Sequence, residues 1–178
     1  MAFRSRFTSS QRGYLPDVID GPDGDDWTLR PNQIFAVSLP HPLLEGEVAR
    51  AAVDVVGRAL LTSYGLRSLA PSDPAYRGDY GGDSVRRDSG YHQGPVWAWL
   101  LGAYAEAHHR VHGDAEAAIR LLTPLVDHLR DAGLGSISEI FEGDPPHGPR
   151  GCVAQAWSVA ETLRVWRALN ATIRSDRT

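Results

Sequence analysis

The stretch Val96-Trp97-Ala98-Trp99-Leu100-Leu101-Gly102-Ala103-Tyr104-Ala105-Glu106-Ala107-His108-His109-Arg110-Val111-His112-Gly113-Asp114 decides the fold class. Val96, Trp97, Leu100, Leu101, Tyr104 and Ala107 recur at helical spacing, which predicts a helix from Gln93 to Val111, ended by His112-Gly113. Asp114 can cap a third helix almost at once, with Ile119, Leu122, Leu125, Val126 and Leu129 on its apolar face and a kink at Pro124. A connection this short makes two neighbouring helices antiparallel.

Outward from this hairpin the same pattern repeats. Between Glu45 and Leu61, the residues Val48, Ala52, Val55, Val56, Ala59 and Leu60 form a stripe opposite Arg50, Asp54 and Arg58. From Val153 to Leu169, Ala156, Trp157, Ala160, Leu163 and Trp166 point one way. A short helix is predicted to start at Pro31, where the missing N–H costs nothing, and to stop before Pro40 and Pro42. Residues 10–30 are rich in Gly, Asp and Pro and suggest a loop with a small β-hairpin around Tyr14, Val18 and Ile19. Two long polar stretches, 63–91 and 133–151, separate the helices. The expectation is an all-α fold of antiparallel helical hairpins, elaborated at one end, where a site would be built.

Composition narrows the function classes. The 178 residues suit one domain, and 42% apolar residues can bury a core. A net charge of −4 offers no field for a polyanion, so nucleic acid is not expected as a partner. All basic residues are arginine, which reads as a coding bias more than a binding design. The longest apolar run, Pro95 to Ala105, is far short of the roughly 20 residues that span a bilayer, so no membrane is expected. The lone Cys152 and an N-terminus without an apolar signal core point to a cytoplasmic protein.

The long loops are dense in groups that suit a neutral polyhydroxyl ligand: Arg67, Tyr76, Arg77 and Tyr80 in the first, Glu139, Glu142, Asp144 and Arg150 in the second. Tyr91 to Trp99 adds aromatic faces for sugar C–H surfaces, although Trp97 and Trp99 fit a core and His92 a helix cap equally well. Arg30-Pro31-Asn32-Gln33 is either a capping arrangement or a ligand-facing first turn. Glu139 sits three residues after Ser136, the spacing of a capping box, but Gly143 and Pro145-Pro146 leave room for at most one turn. A carboxylate on such a loop can instead hold a water as general base. His108 and His112 lack a third ligand in the sequence, Cys152 reads as a small buried hydrophobe, and no phosphate loop is present, so neither metal nor cofactor is expected.

These segments together resemble the C-terminal domain of bacterial glycogen debranching enzymes, the amylo-α-1,6-glucosidase family. The resemblance runs through Gly13-Tyr14-Leu15, Asp17-Val18-Ile19-Asp20-Gly21, Leu29-Arg30-Pro31-Asn32-Gln33-Ile34, Tyr64-Gly65-Leu66-Arg67-Ser68-Leu69, Tyr91-His92-Gln93-Gly94, Gly135-Ser136-Ile137-Ser138-Glu139-Ile140-Phe141 and Gln155-Ala156-Trp157-Ser158. It implies that residues 1–178 are the C-terminal part of an (α/α)6 toroid, with 1–12 and 171–178 flexible. It further implies an α-glucan substrate, glycogen or limit dextrin, hydrolysed with inversion by two carboxyl groups. Glu139 corresponds to the general base, and Arg30, Asn32, Gln33, Arg67, Tyr91, His92, Gln93 and Trp97 to the sugar pocket.

Two departures matter. Pro95 and Ala98 stand where the family usually has Thr and Pro. The family's general acid lies in an upstream tryptophan-containing segment with no counterpart between Met1 and Tyr14. The chain alone is therefore expected not to turn over, and apolar faces made for missing neighbours should be covered by an N-terminal half or by self-association. The alternatives are a noncatalytic carbohydrate-binding or partner-binding module derived from such an enzyme, and a helical scaffold without a sugar site.

Overall fold

The structure, a computed structural model, describes residues 2–9, 11–132 and 134–177. Met1, Ser10, Gly133 and Thr178 lie outside the described residues, and with them parts of both ends expected to be flexible and the first glycine of the second loop. Helix α1 (Ala2–Phe7) is followed by a hairpin of β1 (Val18–Gly21) and β2 (Gly24–Asp26), a 3-10 turn at Pro31–Ile34 that runs into α2 (Phe35–Ser38), and α3 (Gly46–Ala59). Next come β3 (Leu66–Arg67), α4 (Ser84–Gly90), β4 (Val96–Trp97), and the helices α5 (Leu100–His112), α6 (Ala115–Arg120) and α7 (Thr123–Asp131). Strands β5 (Ile140–Phe141) and β6 (Pro149–Arg150) precede the last helix, α8 (Ala156–Ser175).

Helix α5 is the centre of the fold because its first half, Leu100–Ala105, is apolar and buried on every side, while polar residues such as Glu106 and Arg110 enter only towards its C-terminal end. Leu100, Ala103, Tyr104 and Ala107 face a cluster with Val53 and Val56 of α3 and Val37 of α2. Leu101 and Ala105 face a second cluster with Ala118 of α6, Leu125 of α7, and Val165 and Leu169 of α8. Each such leucine contributes on the order of 1.5–3 kcal/mol by leaving water. Asp114 caps α6 as the sequence indicated, its carboxylate accepting the Ala117 N–H at 2.7 Å.

The all-α expectation is only approximate, because a four-stranded antiparallel sheet in the order β3-β4-β5-β6 joins the two stretches read as irregular. Leu66 pairs with Trp97, Trp97 with Ile140, and Ile140 with Arg150. This pairing explains why the helix expected from Gln93 starts only at Leu100. The backbone of Val96 and Trp97 is bonded to a strand on each side, so tertiary pairing overrides the helical spacing of the side chains. The first loop also contains α4, capped by Asp83, whose carboxylate accepts the Arg86 N–H at 2.8 Å.

Three further expectations are corrected. The helix read from Asp114 to Leu129 is two helices, and Pro124 sits in the first turn of α7, where it starts a helix rather than kinking one. Residues 2–7, within the segment expected to be flexible, are helical, with the Arg4 guanidinium bonded to the Leu43 carbonyl at 2.8 Å. On α8, the residues Ala156, Trp157, Ala160, Leu163 and Trp166, expected to form one apolar stripe, lie off the buried side: Trp157, Leu163 and Trp166 are 47%, 55% and 49% exposed, and Trp157 rests on Trp97 and Trp99. The inner face is Ser158, Val165 and Leu169, packed on α5 and α6. Among the described residues no helix is long and apolar enough to cross a membrane.

Candidate functional site

The sheet brings Glu139 and the Tyr91–Trp99 turn together. Glu139 immediately precedes β5, and its N–H donates to the Cys152 carbonyl at 3.0 Å. No helix begins at Ser136, so the capping-box reading falls away. The Glu139 carboxylate is half-buried and collects donors from three directions. The Tyr91 hydroxyl donates to Oε1 in a short hydrogen bond, the Cys152 N–H donates to Oε2 at 2.7 Å, and Gln155 Nε2 reaches Oε1 at 3.5 Å. Burial pushes the Glu139 carboxyl up, but the bonds from Tyr91, Cys152 and Gln155 outweigh it and hold the group below the ordinary glutamate value. An ionised carboxylate at neutral pH is the form a general base requires.

The neighbours respond in the opposite sense. Burial and the bonded carboxylate push the Tyr91 phenol well above its usual range, so it remains a donor. The charge of Glu139 raises Cys152 as well, which leaves an exposed, protonated thiol against the carboxylate instead of the buried hydrophobe expected. Gly151 permits this approach. A Cβ there would lie 2.4 Å from Glu139 Oε2, and its φ of +69° disfavours other residues.

A hollow of about 450 Å³ is bounded by Asp17, Arg30, Asn32, Ser68, His92, Trp97, Trp99 and Trp157, together with Pro31 and Leu100, and Glu139 is not part of its lining. Pockets for small ligands are commonly about 300–1,000 Å³, with apolar walls and a few placed polar groups. His92 stacks flat on Trp97 at 5.1 Å, and Trp99 stacks on Trp157 at 5.6 Å, giving two aromatic walls. Burial and the nearby Arg30 charge lower the His92 pKa, so its ring is neutral. Trp97 is 5% exposed, and its indole N–H has no hydrogen-bond partner, a costly arrangement in a buried donor. Tyr91 bridges the two regions: its ring meets that of Trp97 at 4.8 Å and its hydroxyl reaches Glu139.

Of the residues anticipated for the sugar pocket, Arg30, Asn32, His92 and Trp97 line the hollow, and Tyr91 contacts Glu139. The others hold the scaffold. Gln33 is buried, accepts the Leu15 N–H at 3.2 Å and donates to the Arg30 carbonyl at 3.1 Å. Arg67 donates to the Gly143 carbonyl at 2.9 Å, and Gln93 accepts from Arg30 at 3.0 Å. Arg30 itself also binds the carbonyls of Ser68 and His92, at 3.0 and 2.7 Å, and pairs with Asp17 at 3.6 Å. Much of the polar density in the loops is likewise satisfied internally, as in Tyr76 on Asp144 at 2.9 Å and Arg150 on Glu142 at 2.8 Å.

Trp99 belongs to the aromatic segment read as a possible sugar platform, whereas Asp17 and Trp157 in the hollow, and Cys152 and Gln155 on Glu139, were not anticipated as site residues. The motif Gln155-Ala156-Trp157-Ser158 was the one sequence signal for the second group, but its tryptophan read as core. His112 gains an acidic neighbour that the sequence had not disclosed, Asp54 at 3.1 Å. Among the described residues, no three or more His, Cys, Asp or Glu are placed to hold a metal ion.

Comparison with known proteins agrees with this picture. The chain is 36% identical over 110 residues to the glycogen debranching enzyme of Saccharomyces cerevisiae, a match covering 58% of this chain but only 7% of that protein. In fold, it is similar to the GH63 mannosylglycerate hydrolase of Thermus thermophilus in complex with glucose, with a TM-score of 0.61 and 18% identity over 94% of this chain and 38% of that one. An uncharacterized conserved protein of the same organism gives a TM-score of 0.59 at 17% identity, again over 94% and 38% of the respective chains. The chain thus spans a small part of the curated relative and well under half of each structural neighbour. The sequence pattern of the family described as Amylo-alpha-1,6-glucosidase matches residues 1–164, nearly the whole length, and the chain belongs to that family.

Proposed function

We propose that this chain carries the water-activating half of a glycoside hydrolase acting on α-1,6-linked glucose in glycogen or limit dextrin, within part of an (α/α)6 toroid. Glu139 is the general base and the adjoining hollow is the glucose site. The observation that carries this reading is an ionised carboxylate, braced by Tyr91, Cys152 and Gln155, and joined through the Tyr91–Trp97 ring contact to a cavity of glucose-compatible size with aromatic walls. A carboxylate offers about four lone-pair positions. The Gln155 contact at 3.5 Å is the weakest of those occupied and is the one a water can displace.

Chemistry of this kind needs a second carboxyl group, roughly 6.5–9.5 Å away across the sugar ring, to protonate the leaving oxygen. Asp17 faces the hollow but is committed to Arg30. The acid therefore comes from a segment beyond these residues, as the family resemblance implies, and the chain alone binds sugar without hydrolysing it. A sugar ligand also suits the fold, which is similar to that of a hydrolase solved in complex with glucose.

The test is Glu139→Gln in a chain joined to its upstream half. Glucose release from limit dextrin should disappear, while ligand-observed NMR with maltooligosaccharides and isomaltose should show unchanged binding. Undiminished hydrolysis would refute the base assignment. Failure of the folded wild-type chain to bind millimolar sugar would refute the site.

A further inference from the structure

We propose that His128, on α7, is a positioning residue for Glu139, gripping the chain on both sides of it through Ser138 and Phe141. The proposal rests on Glu139 being the base of the reading above, and it adds a device that sets when that base is held in place.

His128 is 1% exposed and lies within hydrogen-bond distance of both polar groups of Ser138, the residue immediately before Glu139. The Ser138 backbone N–H approaches His128 Nε2 at 3.2 Å, and Ser138 Oγ lies 3.1 Å from the same nitrogen. A backbone N–H can only donate, so Nε2 is the acceptor and the ring proton sits on Nδ1. On the other side of Glu139, the Phe141 ring meets the imidazole edge-on at 4.9 Å. Tyr64 stacks on Phe141 at 4.6 Å and leans on His128 at 5.7 Å, which closes the packing. Two residues flanking the carboxylate are thereby fixed to α7, and α7 is fixed to the core through the fully buried Leu125.

The grip depends on the proton count of one ring. A proton on Nε2 would turn the acceptor into a donor facing the Ser138 N–H, breaking that contact and leaving a buried charge. Burial holds His128 below the ordinary histidine value, and the Asp131 carboxylate on the same helix works weakly against that. The other elements packed on the ring present Tyr64, Ser138 and Phe141, none of them carrying a charge at neutral pH. The sign is clear. Above its lowered value the ring is neutral and holds Ser138, and as pH falls through that value the ring charges and the segment around Glu139 loosens.

The test is a pH titration of the full 178-residue chain by NMR, with labelled glutamate carboxyls and histidine rings. In the wild type, the Glu139 resonance should move in two steps, one of them sharing its midpoint with the His128 ring. His128→Gln, whose amide oxygen can accept from Ser138 without titrating, should keep the low Glu139 midpoint and lose the step shared with the ring. His128→Leu should raise the Glu139 midpoint toward the ordinary glutamate value. A single-step Glu139 titration in the wild type would overturn the proposal, as would equal behaviour of the Gln and Leu variants. If the Leu variant does not fold, the wild-type and Gln titrations still decide. The readout uses no sugar, so a chain that shows both steps yet binds no glucan would sink the glycosidase reading and leave this coupling standing.

Discussion

The Tyr91 phenol donates to the Glu139 carboxylate across 48 residues of sequence, joining the aromatic turn to the strand edge. Tyr91→Phe removes that donor and nothing of the ring's packing. Glu139 is depressed in the folded chain, so its bonds add stability that is present above the ordinary glutamate value, about 4.3, and is lost as pH falls through the lower folded value. The variant should lose about 1 kcal/mol at pH 7, at the low end for a bond to a charged group because the carboxylate is half-exposed. Urea melts at pH 7 and pH 3 check this, since the gap between the two proteins must shrink at the acid end.

Arg30 ties its own turn to two separate segments with one guanidinium, reaching Ser68 in one and the adjacent His92 and Gln93 in the other. Lysine keeps the charge but cannot span a planar fork. Arg30→Lys should therefore cost about 1–3 kcal/mol and broaden the His92 and Trp97 resonances, whereas an Arg30 acting only as a point charge would leave both unaffected.

Trp157 is half-exposed and walls the hollow against Trp99. Trp157→Ala should weaken maltose or isomaltose binding roughly tenfold, the contribution of one aromatic face. The urea midpoint should change little, and a titration with wild-type affinity would remove Trp157 from the site.

The two faces of α8 offer a contrast within one helix. Leu169 is 2% exposed and Leu163 is 55% exposed. Leu169→Ala should cost about 2–5 kcal/mol, and Leu163→Gln should stay within about 0.5 kcal/mol. Sedimentation of the Leu163→Gln, Trp166→Gln double variant should show less self-association than the wild type, because that face presents apolar surface without a partner of its own in the fold.

Much of the secondary structure was legible in the sequence. The helix α3, the stripe of α5, the caps at Asp114 and Gly113, the short helix at Pro31 and the hairpin near Val18 are local patterns, set by the side-chain period and by turn chemistry, although the buried face of α3 is Ala49, Ala52, Val53 and Val56, and Val48 of the expected stripe is 48% exposed. Several motifs in fixed order were enough to identify the family before any coordinates.

What only the tertiary structure decided depends on contacts between residues far apart in the chain. Periodicity identifies a face of α8 but not whether that face turns to the core or away, so Trp157 and Trp166 read as buried and are exposed. Helical spacing in Val96 and Trp97 yielded to pairing with strands from distant segments on both sides, as the Leu66, Trp97 and Ile140 register shows. Polar loop residues such as Gln33, Arg67 and Gln93 look alike in sequence whether they meet a ligand or a backbone carbonyl. Only the fold assigns their partners, and it commits these three to the scaffold while leaving His92, Asn32 and Trp97 lining an open hollow.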